Sequence, residues 1–589
     1  MMPPPRSARG AGSLRRPRLS GRALCHVLGA LLALGAVPPA AASPSGRAEQ
    51  GAHGVVVAGE PLAAAAGMEV LRAGGNAVDA AVATGFALAV THPEAGNVGG
   101  GGFLLYRRAA DGGAFFVDFR ETAPRRVRPG LFQDAGGRPL PEKIQSGPLS
   151  IGVPGSVAGL CLAAERYGSW PLPRLIAPAA RLAREGFAVS PALAASLAEA
   201  WTWDTLSKDP GASAIFGRDG RPLKEGEILR QPDLAKILAA IAERGPEAFY
   251  RGAFADRLAS GVQALGGILE AEDLAAYRAV ERQPLRGRFR GLDIWTAPPP
   301  SAGGVLFLMM LNMLDAADLT GGGHNSSAAI HLSAEAMRRA FADRAEYLGD
   351  PDFVKVPVAR LIDPAYARDR WKTVEAERAT PSAKVGPGGA IPAESHHTTH
   401  YSILDAGGNA VAVTTTLNWS YGSGILIPGT GLLLNNEMDD FSLGRDAPNL
   451  YGLTGGDANG VAPGKRMLSS MTPTIVAREG KTWLVLGSPG GSRIPNMVLQ
   501  VFLNRAVFDL PLQEAVDAPR LHHQWEPDVL QLEPRGIPAD VRAGLERRGH
   551  QVRVVDGWMG EVNAAELDPA SGRVLGAPDP RGAGRAAAW

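Results

Sequence analysis

The segment "NAVDAAVATGFALAVTHPEAG", residues 76 to 96, constrains the fold more than any other part of the chain. It has helical texture and is apolar on almost every side. A helix with no polar face cannot lie on a surface and must be buried between layers. Asn76 supplies a capping side chain at its start. Just upstream, "EPLAAAAGMEVLRAGG" reads as a second helix stopped by Gly74 and Gly75. The chain therefore has to build a thick, layered core. Its composition, 45% apolar against 20% charged, is that of an ordered protein able to do so.

Strand signals follow. "NVGGGGFLLYRR" and "GAFFVDFRETAP" read as two strands joined through Asp111-Gly112-Gly113, a hairpin turn. Residues 150 to 350 read mostly as amphipathic helices, among them "LPRLIAPAARLAREG" and "SSAAIHLSAEAMRRAFADRAEYLG". "ATPSAKVGPGGAIPAES", rich in Pro, Gly and Ser, reads as a mobile linker. Beyond it the texture turns to strands. "THYSILD" and "AVAVTTTLNW" flank a turn at Ala406-Gly407-Gly408-Asn409, and "SSMTPTIVAREGKTWLVLGSPGG" turns near Glu479-Gly480. "MVLQVFLNRAVF" and "LQEAVDAP" return to helix. Antiparallel hairpins covered by helices predict a layered α+β architecture. Length alone, 589 residues, predicts about three or four units.

Several classes of function are disfavoured at this level. With 60 Lys and Arg against 59 Asp and Glu, no net charge draws the chain to nucleic acid or an anionic membrane. The N-terminus reads as an export signal: a basic region, the apolar run "ALCHVLGALLALGAV", and small residues that place a cut after Ala42. Arg15 and Arg16 also hint at a twin-arginine signal. No later run is long and apolar enough to span a membrane. Cys25 would leave with the signal, and Cys161 alone cannot form an internal disulfide, so the exported protein depends on its core.

"ESHHTTHYSILD", residues 394 to 405, is where chemistry is expected, and it admits three readings. A metal site on His396, His397 and His400 fits poorly. On a strand, His396 and His400 share a face but lie roughly 13 Å apart, too far for one ion. Thr398 and Thr399 serve equally as plain strand residues. The third reading is a nucleophile. A threonine that becomes an N-terminus carries its own base, the freed α-amine, with a reference pKa near ~8. That requires a cut immediately before the threonine, at the end of a mobile linker. The glycine runs "GNVGGGG" and "GSPGGSR" lack the features of a phosphate loop or a dinucleotide site. Each serves as a tight turn or as a cluster of free N–H groups suited to an oxyanion. No Gly-x-Ser-x-Gly elbow occurs.

"TTHYSILD", "GNAVAVTTTLN", "LLLNNEMDDFS", "GKRMLSSMTPTIV" and "GSPGGSRI" follow one another in the order and spacing of the small subunit of the γ-glutamyltranspeptidases. "GGNAVDAAVA", "GNVGGGGF", "DFRETAP" and "GVPGSVAGL" resemble the large subunit of the same family. The resemblance covers essentially all of the chain after the signal and implies one N-terminal nucleophile hydrolase fold, a four-layer αββα sandwich, in place of several domains. With the signal read at 1–42, it implies a large subunit at 43–397 and a small subunit at 398–589, separated by self-cleavage at His397–Thr398 and remaining together as a heterodimer. It makes Thr398 the nucleophile, with Thr416 hydrogen-bonded to it and Gly490 and Gly491 holding the oxyanion. It places Arg120, Ser469 and Ser470 on the donor's α-carboxylate, Asn418, Glu437 and Asp440 around its α-amino group, and Tyr451 in a covering lid; Asp439 is left open. The implied activity is that of an exported, periplasmic or extracellular γ-glutamyltransferase and glutathione hydrolase. Its partners are small γ-glutamyl compounds and amino-acid or dipeptide acceptors, and it needs no metal or organic cofactor. An acylase for glutaryl-β-lactams on the same fold, and a non-catalytic secreted binding protein, are the alternatives.

Overall fold

Helices α1 (Pro61–Arg72) and α2 (Ala77–Thr91) form an antiparallel pair in which all fifteen residues of α2 are buried. The pairing is close because Gly67 of α1 leaves no side chain between itself and Thr84. The two hydroxyls inside α2 are satisfied within the helix, Thr84 by the Ala80 carbonyl and Thr91 by that of Ala87. Asn76 and Asp79 form a reciprocal capping box at its start. The computed structural model describes residues 48–386 and 398–589, apart from 445, 446, 448 and 454. The expected signal at 1–42, and His396 and His397, lie outside the described residues.

Two seven-stranded antiparallel sheets lie at the centre. Their strands are β1 (Glu49–Gly51), β2 (Gly54–Ala58), β3 (Gly101–Arg107), β4 (Ala114–Asp118), β5 (Val280–Arg282), β6 (Leu285–Phe289) and β7 (Leu292–Thr296). They continue with β8 (Thr399–Asp405), β9 (Ala410–Thr416), β10 (Thr474–Arg478), β11 (Lys481–Leu486), β12 (Ala564–Leu567), β13 (Val574–Ala577) and β14 (Arg585–Ala588). One sheet runs β1-β13-β12-β11-β10-β7-β6, and the other β14-β2-β8-β9-β3-β4-β5. The period of two then assigns the faces. In β2, Val56 and Ala58 pack with α1 and α2, whereas Val55 and Val57 face the core shared with the first sheet. Helices α3 (Ser156–Tyr167), α4 (Leu172–Glu185) and α5 (Pro232–Arg244) extend the α1–α2 layer. Helices α6 (Gly303–Leu314), α7 (Ser327–Tyr347) and α8 (Ile494–Ala506) cover the other sheet. The order is helix, sheet, sheet, helix, as the resemblance implied. Among the described residues no helix is long and apolar enough to cross a membrane.

The helical reading of 150 to 350 needs correction. Strands β5, β6 and β7 lie inside it, with β6 at a sheet edge where Arg286 and Arg288 are exposed. In β6 those outward arginines alternate with Leu285, Gly287 and Phe289, and in β7 Leu292, Ile294 and Thr296 point inward. Helices α6 and α7 are also mostly buried rather than amphipathic. Charged residues of α7 are admitted through pairing: Glu335 with Arg339, and Arg338 with Asp528. The linker, too, begins later than its composition suggests. Ser382 is buried, its hydroxyl donating to the Trp525 carbonyl at 2.5 Å and its amide to Asp528 at 2.8 Å.

Candidate active site

The β8–β9 hairpin holds the centre of the site. Its register pairs Thr399 with Thr415, so Thr398, one residue before β8, comes beside Thr416 at the end of β9, with the two hydroxyl oxygens 3.5 Å apart. Asp405, at the far end of β8, accepts from the Ala77 amide at 3.0 Å and ties the hairpin to α2. Gly85 allows the same helix to rest on Tyr401 of β8; a Cβ there would lie 2.6 Å from the tyrosine hydroxyl. His400 is enclosed, with Thr414 at 2.8 Å on Nδ1 and Ser402 at 3.0 Å on Nε2. Burial pushes its pKa down to about 3, so it is a neutral core histidine.

Beyond β9 the chain turns sharply at Asn418 (φ 76°), a conformation asparagine tolerates better than most residues. Its amide donates to the Thr416 hydroxyl at 2.8 Å, and its side-chain amide donates to the Asn436 carbonyl at 3.0 Å. The short 3₁₀ turn Glu437–Asp440 follows and presents two acids to Arg120, which stands just past β4. One guanidinium nitrogen donates to Glu437 and another to Asp440, while Nε reaches the Met467 carbonyl at 3.2 Å. Burial pushes the Glu437 carboxyl up to about 7 against the pull of Arg120; Asp440 is raised for the same reason. Tyr451 closes the top, its hydroxyl donating to the Asn418 carbonyl.

These groups enclose one cavity. Arg120, Thr398, Thr416, Asn418, Glu437, Asp440, Tyr451, Ser469, Ser470 and Gly491 all line it. It holds only about 20 Å³, room for about one water. Gly490 lies instead on a second cavity on the other side of Thr398. Asp439 is outside the first cavity and accepts from the Leu450 amide at 3.1 Å, holding the segment that carries Tyr451.

Two charged neighbours escaped the sequence reading. Glu121 is completely buried, 3.6 Å from an Arg120 nitrogen, and burial raises its pKa well above the usual range. Its place directly after Arg120 in "DFRETAP" was the available signal. Arg344 of α7 lies behind Asp440, its pKa pushed down to about 10 by burial and opposed by Asp440. No local pattern announces it, because the contact is long-range.

Among the described residues, His331, Glu335 and His550 bring possible metal ligands within 4.8 Å of one another. Apart from the buried Nδ1 of His550, which has no hydrogen-bond partner, their bonding is already committed. Glu335 pairs with Arg339 at 2.6 Å and lies 3.4 Å from Arg338, while the two histidines bond to each other at 2.8 Å. A cation there would compete with two guanidiniums for one carboxylate.

The "Gamma-glutamyltranspeptidase" family model matches residues 63–589. The chain belongs to that family. It is 47% identical to a glutathione hydrolase proenzyme of Escherichia coli (strain K12), an alignment covering 94% of this chain and 96% of the relative. A Pseudomonas aeruginosa glutathione hydrolase proenzyme is 45% identical, with 95% and 98% covered. Among solved structures, a cephalosporin acylase from Bacillus halodurans superposes with a TM-score of 0.81 at 31% identity, covering 94% of this chain and 99% of that one. The fold is that of the N-terminal nucleophile hydrolases, and the chain is an enzyme of the γ-glutamyltranspeptidase family.

Proposed function

We propose that this γ-glutamyltranspeptidase-family enzyme is an exported γ-glutamyltransferase and glutathione hydrolase, made as a precursor that cleaves itself between His397 and Thr398. The observation that carries this reading is the shared cavity of the Thr398 hydroxyl, the Arg120 guanidinium and the Glu437 and Asp440 carboxylates. An α-amino acid head group has the complementary charges: its carboxylate suits the guanidinium fork and the serines, and its ammonium suits two acids. A γ-glutamyl donor anchored in this way places its γ-carbonyl toward Thr398.

Once Thr398 is an N-terminus, its α-amine takes the hydroxyl proton as Oγ attacks the γ-carbonyl. The amides of Gly490 and Gly491 hold the oxyanion, made accessible by a glycine turn (φ 131° and 51°). The amide C–N bond breaks, and the amine leaves with the proton returned by the α-amine. Water, or the amine of an amino acid or dipeptide, then cleaves the γ-glutamyl ester. Thr416, fixed by the Asn418 amide, orients the Thr398 hydroxyl. The two pieces, 43–397 and 398–589, stay together because each contributes strands to both sheets. Export would remove residues 1–42 and place the enzyme in the periplasm or outside the cell. No metal or organic cofactor enters this chemistry.

The glutaryl-β-lactam acylase reading is supported by the likeness to the cephalosporin acylase. The two acids on Arg120 weigh against it, since a glutaryl chain brings no ammonium to them. The deciding experiment is a denaturing gel joined to a γ-glutamyl anilide assay. Two bands with turnover support the proposal, while one band with no turnover sinks it.

A further inference from the structure

Each of the two sheets ends in a strand at either side, and β6 stands apart among these four. Its five residues make it the longest: β1 and β5 have three and β14 has four. Among the described residues no strand lies beyond it. The turn that joins it to β7 sets which of its backbone groups are left over. Arg290 (φ 46°) and Gly291 (φ 85°) both lie in the left-handed region, the signature of a two-residue type I′ turn, here closed by Phe289 and Leu292. The pair that closes such a turn exchanges hydrogen bonds, and bonded pairs then alternate along the hairpin. Leu285, Gly287 and Phe289 thus bond to β7, whereas Arg286 and Arg288 turn their N–H and C=O groups to the outer edge.

Space and charge lie along that edge. A cavity of about 420 Å³ runs beside it, walled by residues 286–288 of the strand, by Leu308 of α6, and by Ile362 and Pro364. The two faces of the strand differ. Leu285, Gly287 and Phe289 share the face toward α6, where a Cβ on Gly287 would lie 2.3 Å from Leu308. Arg286 and Arg288 point the other way, with side chains 66% and 74% exposed, and share one carboxylate, that of Asp293, at 3.1 and 3.8 Å. Two guanidiniums on one acid leave positive charge in excess. A second copy of β6 would bring arginine against arginine, so these side chains keep like edges apart. An acidic strand meets the opposite sign. We infer that this edge binds an extended segment of another protein, one in which acidic and apolar residues alternate, by adding it to the seven-stranded sheet as a further strand. Lying about 4.8 Å from β6, the segment exchanges hydrogen bonds with Arg286 and Arg288. Its residues on the arginine side bring carboxylates to the two guanidiniums, and the residues between them face Leu308, Ile362 and Pro364. Thr398 and its cavity take no part in this docking.

The probe is a fluorescent peptide with blocked ends, Val-Glu-Val-Glu-Val, titrated into the purified enzyme and read by anisotropy. It should bind at least about 10-fold more tightly than Val-Val-Val-Glu-Glu, which has the same composition without the alternation, and than Val-Lys-Val-Lys-Val. N-methylation of the peptide amides reads the strand geometry. One alternate set should weaken binding about 10-fold and the other should not, because only every second N–H of an added strand faces the sheet. In Arg286→Glu/Arg288→Glu the preference should reverse, so that the lysine peptide binds and the glutamate peptide does not, an exchange that mere damage to the edge would not produce. Turnover of a γ-glutamyl anilide should be the same in this variant as in wild type, and the same with the peptide present. No binding, equal binding of the three peptides, an equal response to both N-methyl sets, or a preference unchanged in the double variant overturns the inference. So does inhibition of turnover that tracks peptide binding, which puts the peptide at Thr398. Self-association of wild type that the double variant abolishes gives the edge to a second copy and overturns it too. Should the double variant fail to fold, Arg286→Gln and Arg288→Gln are measured singly; each should weaken binding of the glutamate peptide, and no change in either overturns the inference equally.

Discussion

The ring of Tyr451 occupies the space that a side chain on Gly491 would take: a methyl group at Gly491 would run into the Tyr451 ring carbons. The same tyrosine donates its hydroxyl to the Asn418 carbonyl, so it is seated at once on the Gly490–Gly491 turn, the oxyanion turn of the proposed mechanism, and on the bend that follows Thr416. Gly491→Ala should therefore displace the lid and strain a backbone already at φ 51°. The variant keeps its backbone N–H but misaims it as the turn shifts, which costs up to the roughly 10²- to 10³-fold in kcat of a lost oxyanion donor. That fall is expected for a γ-glutamyl anilide, with the protein still folded by circular dichroism. A kcat within twofold of wild type would mean that neither the Tyr451 contact nor the glycine conformation at 491 sets the geometry needed for turnover.

Maturation isolates Thr398. Wild type should run as two pieces, with the smaller one starting at Thr398. Thr398→Ala should stay as one inactive chain, because in the proposed mechanism the same hydroxyl attacks the preceding carbonyl and later the substrate. Thr398→Ser should be cut, more slowly. N-terminal sequencing of the small piece checks the assignment, and any other first residue withdraws it.

A pH effect follows from His400. Its folded pKa, about 3, lies below the unfolded value near ~6.5, so the unfolded chain binds the proton more readily. The stability it contributes is complete above about pH 6.5 and is lost progressively as pH falls toward the folded value, at up to ~1.4 kcal/mol per pH unit. His523 and His550, pushed down to about 4 and about 3, act in the same direction. The thermal midpoint should drop between pH 7 and 5, and His400→Gln should shallow that drop while lowering the midpoint at pH 7. An identical slope in the variant would mean that His400 does not titrate on unfolding.

The sequence made parts of this molecule readable for definite reasons. The β8–β9 and β10–β11 hairpins were visible because glycine turns interrupt alternating strands, and α2 because its lack of a polar face leaves it only a buried position. Strands β6 and β7 were missed although both alternate, because each is only five residues long and lies within a long stretch of helical texture. Arg120, Thr398 and the Glu437–Asp440 turn are far apart in the chain, and only a family's order of motifs pointed to a common site. Glu121 was passed over although it directly follows Arg120, because nothing in the sequence marks its burial, and Arg344 leaves no local pattern at all, since its contact with Asp440 is a property of the packed layers.

Asp440 provides the sharpest test of substrate choice. Its two oxygens are engaged by Arg120 and by the Asn449 side chain, the latter at 3.1 Å, so its position is fixed before any donor arrives. If it reads the donor's α-ammonium, Asp440→Asn should harm γ-glutamyl and glutaryl substrates unequally. Removing the charge partner of a buried ammonium costs on the order of 2–5 kcal/mol, or roughly 30-fold to several thousand-fold in kcat/KM for a γ-glutamyl anilide. A glutaryl anilide has no ammonium to lose, and the variant presents it with one buried carboxylate fewer, so its kcat/KM should fall little or rise. Arg120→Ala should harm both, since each substrate carries a carboxylate for the guanidinium. The two kcat/KM values are measured for wild type and for each variant once a gel shows that the variant is cleaved. A γ-glutamyl-to-glutaryl ratio unchanged by Asp440→Asn would mean that Asp440 serves only to hold Arg120 and Asn449, and the acylase reading would then account for the cavity as well as the transferase does.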